Sequence, residues 1–146
     1  MHRLVAIALG ALVAGWATAS PAAVTSVTVW MQDPTTAPTV QAMQMAVDHS
    51  RVKTGIVRFH VMNQSKSMTH EMIVVRLKSA GDALPMLAKS DRVDERRIAR
   101  LGQLPNIRPG KSGNLQRALK PGDYLLICNK PGHFRQGMKI ALTVTP

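Results

Sequence analysis

Apolar and polar residues alternate with period two over several short stretches of the chain. In IVRFHVMN (56–63), Val57, Phe59 and Val61 share one side, with polar neighbours between them. Met43, Met45 and Val47 repeat the pattern after a Pro-containing connection. Period two with β-branched residues predicts half-buried strands. Val24 to Met31 reads as a first strand, EMIVVRL (71–77) as a short apolar strand, and YLLIC (124–128) and KIALTVT (139–145) as the last two. DHSRVKTG (48–55), NQSKSMTH (63–70), LPNIRPGKSG (104–113) and LKPGD (119–123) read as turns or polar loops between strands. One stretch breaks the pattern. SDRVDERRIARLG (90–102) predicts a short helix, with Ser90 or Asp91 to cap it, acids early, arginines late, and Gly102 as its stop. Short strands, frequent turn signals and one short helical insertion point to an all-β domain, a sandwich or barrel.

The N-terminus belongs to none of these elements. His2 and Arg3 precede an apolar run, Leu4 to Ala17, and Ala17-Thr18-Ala19 is an A-x-A pattern. This reads as a secretory signal peptide over residues 1–19, with cleavage as late as residue 23. The run is short for a membrane span, which takes about 20 apolar residues; an uncleaved anchor is the alternative. The mature protein is then periplasmic or secreted, with no stable membrane span. Residues 24–146 form a single domain, because 127 residues after Ala19 suffice for one core and not for two.

Charge narrows the partners. The whole chain has a formal charge of +11, and loss of the signal removes only Arg3. A dispersed basic surface is compatible with nucleic acid. Aromatic residues make up only 3% of the chain, too few for a base-stacking platform, and export also argues against that partner. An acidic protein surface or an anionic membrane surface fits better, and simple solubility explains the charge equally well.

Cys128 is the single cysteine of a chain expected in a compartment where disulfides form. Such a residue should be paired between molecules, reactive, or bound to something. It lies at the end of YLLIC, where Tyr124, Leu126 and Cys128 share the buried face. A small buried hydrophobe is the simple reading. The loop that follows, CNKPGHFRQGM (128–138), weakens it by presenting His133 and then Met138. Thiolate, imidazole and thioether suit copper better than calcium or magnesium. A trigonal site of two imidazoles and a thiolate with a weak axial Met needs one more histidine. His2 is in the signal, His49 lies in a polar turn, and His60 alternates with core residues and so faces solvent. His70 sits where a polar loop meets an apolar strand and is the best candidate, although the pattern alone does not force it. Zinc on one Cys and two His is chemically possible; the Met at this spacing favours copper. The other methionines allow a second, Met-lined Cu(I) site near His70, using Met68 and Met72, but core filling is the stronger reading.

His70 with its strand, then Cys128, His133 and Met138, resemble the cupredoxins, the type 1 blue-copper proteins of the plastocyanin and azurin superfamily. The spacing C-x4-H-x4-M is similar to that of the rusticyanin and sulfocyanin type among exported bacterial cupredoxins. The likeness covers about residues 24–146 and is strongest over 121–145. It implies a Greek-key β-sandwich that holds one Cu(I)/Cu(II) ion, with His70, Cys128 and His133 equatorial and Met138 axial. It also implies that His133 is the electron port, with Pro131 and Phe134 supplying an apolar patch around it. Lys130 and Arg135 would flank that patch with positive charge, which speeds docking to an acidic partner. Two departures stand out: Glu71 replaces the Asn that azurins have after the first histidine, and residues 78–110 form a longer and more basic excursion than in plastocyanin.

Enzymatic chemistry lacks its parts. A Cys/His nucleophile pair needs an orienting group and an oxyanion site, and neither is marked. Catalytic or dinuclear copper needs further histidines or a second cysteine. The expectation is an exported one-electron carrier, not an enzyme, working with a redox partner such as a cytochrome or oxidase. The alternative is a periplasmic copper-binding protein for tolerance or delivery.

Overall fold

In the computed structural model, which describes residues 24–33 and 43–146, the alternating stretches become strands of two facing sheets. The expected signal segment, 1–19, lies outside the described residues. The first sheet contains β1 (Val24–Gln32), β2 (Gln44–Val47), β4 (Gly55–Asn63) and β9 (Ser112–Leu119), in the order β2-β1-β4-β9. The second contains β3 (Arg51–Lys53), β5 (His70–Arg76), β8 (Ala99–Ile107), β10 (Gly122–Ile127) and β11 (Lys139–Thr145), in the order β3-β11-β10-β5-β8. Each sheet is mixed: β1 runs parallel to β4, and β3 parallel to β11, while the other pairs are antiparallel. Among the described residues no helix is long and apolar enough to cross a membrane.

The core lies between the sheets, where period-two side chains meet. Val27, Val29 and Met31 of β1 and Val57, Phe59 and Val61 of β4 face Met72 and Val74 of β5, Tyr124 and Leu126 of β10, and Leu142 and Val144 of β11. Met43 and Met45 are buried with them, so these methionines fill the core. Tyr124 turns its hydroxyl to the Lys120 carbonyl at 2.6 Å, which satisfies the one polar atom of a buried ring.

The segment expected to hold a helix does something else. Met86–Leu87 (β6) pairs with Arg92–Val93 (β7), and the helical content is one 3-10 turn, Glu95–Arg97, capped by Asp94. The chain then extends at Ile98 and continues as β8, hydrogen-bonded along β5. Local charge order favoured a helix. The open edge of β5 and the apolar outer face of its sheet outweigh it, as tertiary context commonly outweighs propensity. That outer face carries Ile73, Val75 and Ile127, and Val93, Leu84, Met86 and Ile98 cover it as a partial third layer. β5 is consequently buried on both faces from His70 to Val75. Two smaller expectations also change. Residues 48–55 are not only a turn, because β3 forms within them and pairs with β11. Residues 104–107 belong to β8, which leaves the turn to residues 108–111.

Candidate metal centre

The site sits where β5 begins and β10 ends. His70 is the first residue of β5 and shares its inward face with Met72 and Val74; it is 0% exposed. Cys128 follows β10 on the face of Tyr124 and Leu126, also 0% exposed. The chain then closes into a loop tied at its base. Cys128 N–H donates to the Met138 carbonyl at 3.0 Å, and Met138 N–H donates to the His133 carbonyl at 3.0 Å. Gly132, with φ at +80°, supplies the left-handed step that lets this short loop turn back. His133 is thereby returned over Cys128, half-exposed, and Met138 is fully buried in the core cluster that holds Cys128.

Three donor atoms converge. His133 Nδ1 lies 3.4 Å from Cys128 Sγ, His70 Nδ1 lies 3.9 Å from it, and the two nitrogens are 3.2 Å apart. A point equidistant from all three corners of this triangle lies about 2.0 Å from each, close to first-row metal bonds to imidazole and thiolate, about 2.0–2.3 Å for zinc. Without an ion these contacts are thiol and imidazole hydrogen bonds, and a single cation at their centre would take a lone pair from each donor at once. The residues therefore fit a metal ion. The soft thiolate with two imidazoles, and a thioether buried nearby, suits copper.

Protonation in the metal-free protein follows from burial. Burial, then the neighbouring His133 and Lys130 charges, pull His70 down to about 4, against the pull of Asp33. His133 is lowered too, by burial first and Lys130 second. Both imidazoles are thus neutral and ready to ligate at neutral pH. Burial pushes the Cys128 thiol up to about 11, although backbone N–H groups of Lys130 and Glu71 favour the thiolate; the Glu71 bond spans 3.5 Å. Metal binding must displace that proton.

Around these donors the structure departs from sequence expectation at Phe134. It is buried in the outer cluster with Ile73, Val75, Val93 and Ile127, so it anchors the loop and supplies no surface patch. Pro131 is exposed. Lys130 and Arg135 are near the surface, but both are engaged: Lys130 Nζ donates to Asn106 Oδ1 at 2.6 Å, and Arg135 pairs with Asp91. Glu71 turns away from the donors to accept from Gln103 Nε2 at 2.9 Å. His60 bonds Asn114 on the outer face of the first sheet and His49 is exposed, as expected of both.

Sequence reasoning passed over the polar residues that hold the arms. Asn63, at the end of β4, is buried; its Nδ2 donates to the Met68 and Ile107 carbonyls, each at 2.8 Å, and its Oδ1 accepts from Ser65 N–H. Ser65 Oγ accepts from Ser67 and Met68 N–H. This lattice shapes the approach to His70. The Asn-x-Ser opening of NQSKSMTH was its one visible sign, since both residue types favour such local turns. Asn129, buried beside Cys128, was likewise unsignalled.

No protein-family model matches the chain. Auracyanin-B of Chloroflexus aurantiacus is 55% identical over 38 residues, which span 25% of this chain and 16% of that protein. Among solved structures, dithionite-reduced auracyanin of the photosynthetic bacterium Roseiflexus castenholzii superposes with a TM-score of 0.52 at 19% identity, covering 84% of this chain and 97% of that one. Rusticyanin of Thiobacillus ferrooxidans, described as a copper protein, superposes with a TM-score of 0.52 at 22% identity, covering 83% of this chain and 78% of its own. At such identities the likeness concerns the fold: the chain has the cupredoxin β-sandwich fold.

Proposed function

We propose that this protein is a one-electron carrier in which His70, Cys128 and His133 would hold a single copper ion, with Met138 as a fourth and weaker donor. The observation that carries the reading is the donor triangle, formed by the two Nδ1 atoms and Sγ at 3.2, 3.4 and 3.9 Å. The ion supplies the Cu(I)/Cu(II) couple; the chain supplies everything that keeps the donors in place. His70 is fixed by strand pairing, and the loop by backbone bonds at its base, so little has to move when charge changes. Half-exposed His133 is the donor nearest to solvent and serves as the electron port.

A one-step redox role agrees with what surrounds the site. The single His/Cys/Asp/Glu metal-holding group found among the described residues is this one. The basic chain suits an acidic redox partner such as a cytochrome or oxidase. The N-terminal apolar run followed by A-x-A supports a periplasmic or secreted location.

Copper(II) added to the purified protein should give an intense visible thiolate-to-copper band at one ion per chain, and Cys128→Ser should abolish it. Retention of that band in the variant would refute the assignment.

A further inference from the structure

The excursion after β5 has no counterpart in the donor set, yet it grips the ligand loop. Asn129 is 0% exposed, next to Cys128. Its Oδ1 accepts from Val93 N–H at 2.6 Å, and its Nδ2 donates to the Val93 carbonyl at 3.0 Å and to Glu95 Oε1 at 2.8 Å. One amide side chain thus pairs with both backbone groups of one residue, as a neighbouring strand would. The Asn129 carbonyl accepts from Arg92 Nε at 2.7 Å. Further along the loop, Gly132 N–H donates to the Asp91 carbonyl at 2.9 Å, and the Asp91 carboxylate holds Arg135.

Backbone geometry points to the same place independently. Among the described residues two non-glycines have a left-handed backbone, Asp91 with φ at 49° and Asn106 with φ at 51°. Such residues are a few per cent of non-glycines. Both touch the ligand loop, Asp91 as above and Asn106 through Lys130. Unusual backbone persists where the surrounding structure over-determines it, and it gathers at functional sites. Covering the outer face of the sheet would need only Leu84, Met86, Val93 and Ile98. It would not need a buried amide beside the thiol, because a buried polar group is tolerated only when its bonds are met.

We infer that residues 91–95 are a clamp, with Asn129 as its positioning residue, which holds the ligand loop in its donor-presenting shape before any metal arrives. The use of that shape rests on the copper reading; the clamp itself does not. Ordering the loop costs backbone entropy, and the clamp settles that cost on folding, so the donor triangle is already set in the metal-free protein. With copper bound, the same restraint would limit how far the donors shift when the ion changes charge.

The test is residue-resolved amide exchange on the full metal-free protein, comparing wild type, Asn129→Ala and Asp91→Ala. Asp91 is near the surface, so its variant keeps the question open to measurement even if Asn129→Ala fails to fold. Both variants should speed exchange at Gly132, Gln136 and Met138 by about tenfold or more, while β10 and β11 keep their protection. With copper bound at unchanged stoichiometry, electron self-exchange should slow by about tenfold. Unchanged loop protection, loss of protection across loop and strands together, or unchanged self-exchange in a loosened loop would each overturn the clamp. A wild type that binds no copper, together with selective loosening in the two variants, would overturn the copper reading and leave the clamp standing.

Discussion

Two arms of the chain bring donors to one point, and they are held by different means. The arm from Cys128 to Met138 supplies three of the four candidate ligands. It is fastened by backbone bonds at its base, by Phe134 driven into the outer apolar cluster, and by Asn129 locked onto residues 91–95. The arm from Asn63 to His70 supplies one ligand, and its fastening is a lattice of buried side-chain bonds centred on Asn63 and Ser65. The difference lies in how each fails. Apolar anchorage weakens in proportion to the volume removed. A buried polar lattice fails abruptly, because every lost partner leaves another group unpaired.

Paired substitutions should expose that asymmetry, and they have the largest expected effect. Phe134→Ala should lose about 3–5 kcal/mol of stability in denaturant titrations. Phe134→Leu should recover most of it, because an apolar filler of similar size is tolerated. Asn63→Ala should lose about 2–3 kcal/mol, since the Met68 and Ile107 carbonyls are left without their donor. Here Asn63→Leu should recover nothing, despite its closer volume. Equal recovery in the two leucine variants would mean that both arms are held by packing alone.

Acid and base should separate the arms next. His70 titrates at about 4 in the folded metal-free protein, against an ordinary value of 6.5. As pH falls, the unfolded chain takes up that proton first, so stability is lost between about pH 6.5 and 4, by on the order of 2–3 kcal/mol. Cys128 acts at the other end. Its folded value near 11 exceeds the ordinary 9.0, so above pH 9 the unfolded chain ionises first and stability is lost between about pH 9 and 11. Metal-free protein should therefore be most stable between about pH 6.5 and 9. His70→Gln should shrink the acid loss to the part that His133, lowered in the same direction, contributes, and Cys128→Ala should flatten the basic side. An acid loss of unchanged size in His70→Gln would move its origin away from His70.

The same contrast governs what could be read from the sequence. The strands β1, β4, β5, β10 and β11 were visible because one or both of their faces meet the core, which writes period two into the chain. Cys128, His133 and Met138 could be nominated together because a single loop carries them, so their spacing is local information; the donor atoms of the first two are the ones that meet. His70 was only a best candidate, because its place depends on how β5 and β10 register, and registry is not written in either strand alone. The helix expected over residues 90–102 was the clearest miss. Asp94, Glu95, Arg96 and Arg97 have the charge order of a helix, but the free edge of β5 lies far away in sequence and draws Ala99–Ile107 into a strand. Phe134 was misplaced for a related reason: the layer that buries it is built from Val93 and its neighbours, which had been assigned to that helix.

The smallest expected effect concerns the last donor of the longer arm. Met138 is fully buried in the same cluster as Cys128, so its side chain serves as core packing whatever its sulfur does. Met138→Leu nearly conserves volume and should change stability by less than about 1.5 kcal/mol. If the sulfur is a weak axial donor, copper should remain bound at one ion per chain, because two imidazoles and a thiolate still hold it. The reduction potential should rise, since losing one donor disfavours Cu(II), the state that gains more from additional ligands. Copper stoichiometry and potentiometry on wild type and variant settle the matter together. Loss of copper would make Met138 a principal ligand, and the longer arm would then hold the ion by three strong bonds against one from the shorter. An unchanged potential with copper retained would remove the sulfur from the site and leave Met138 as packing alone.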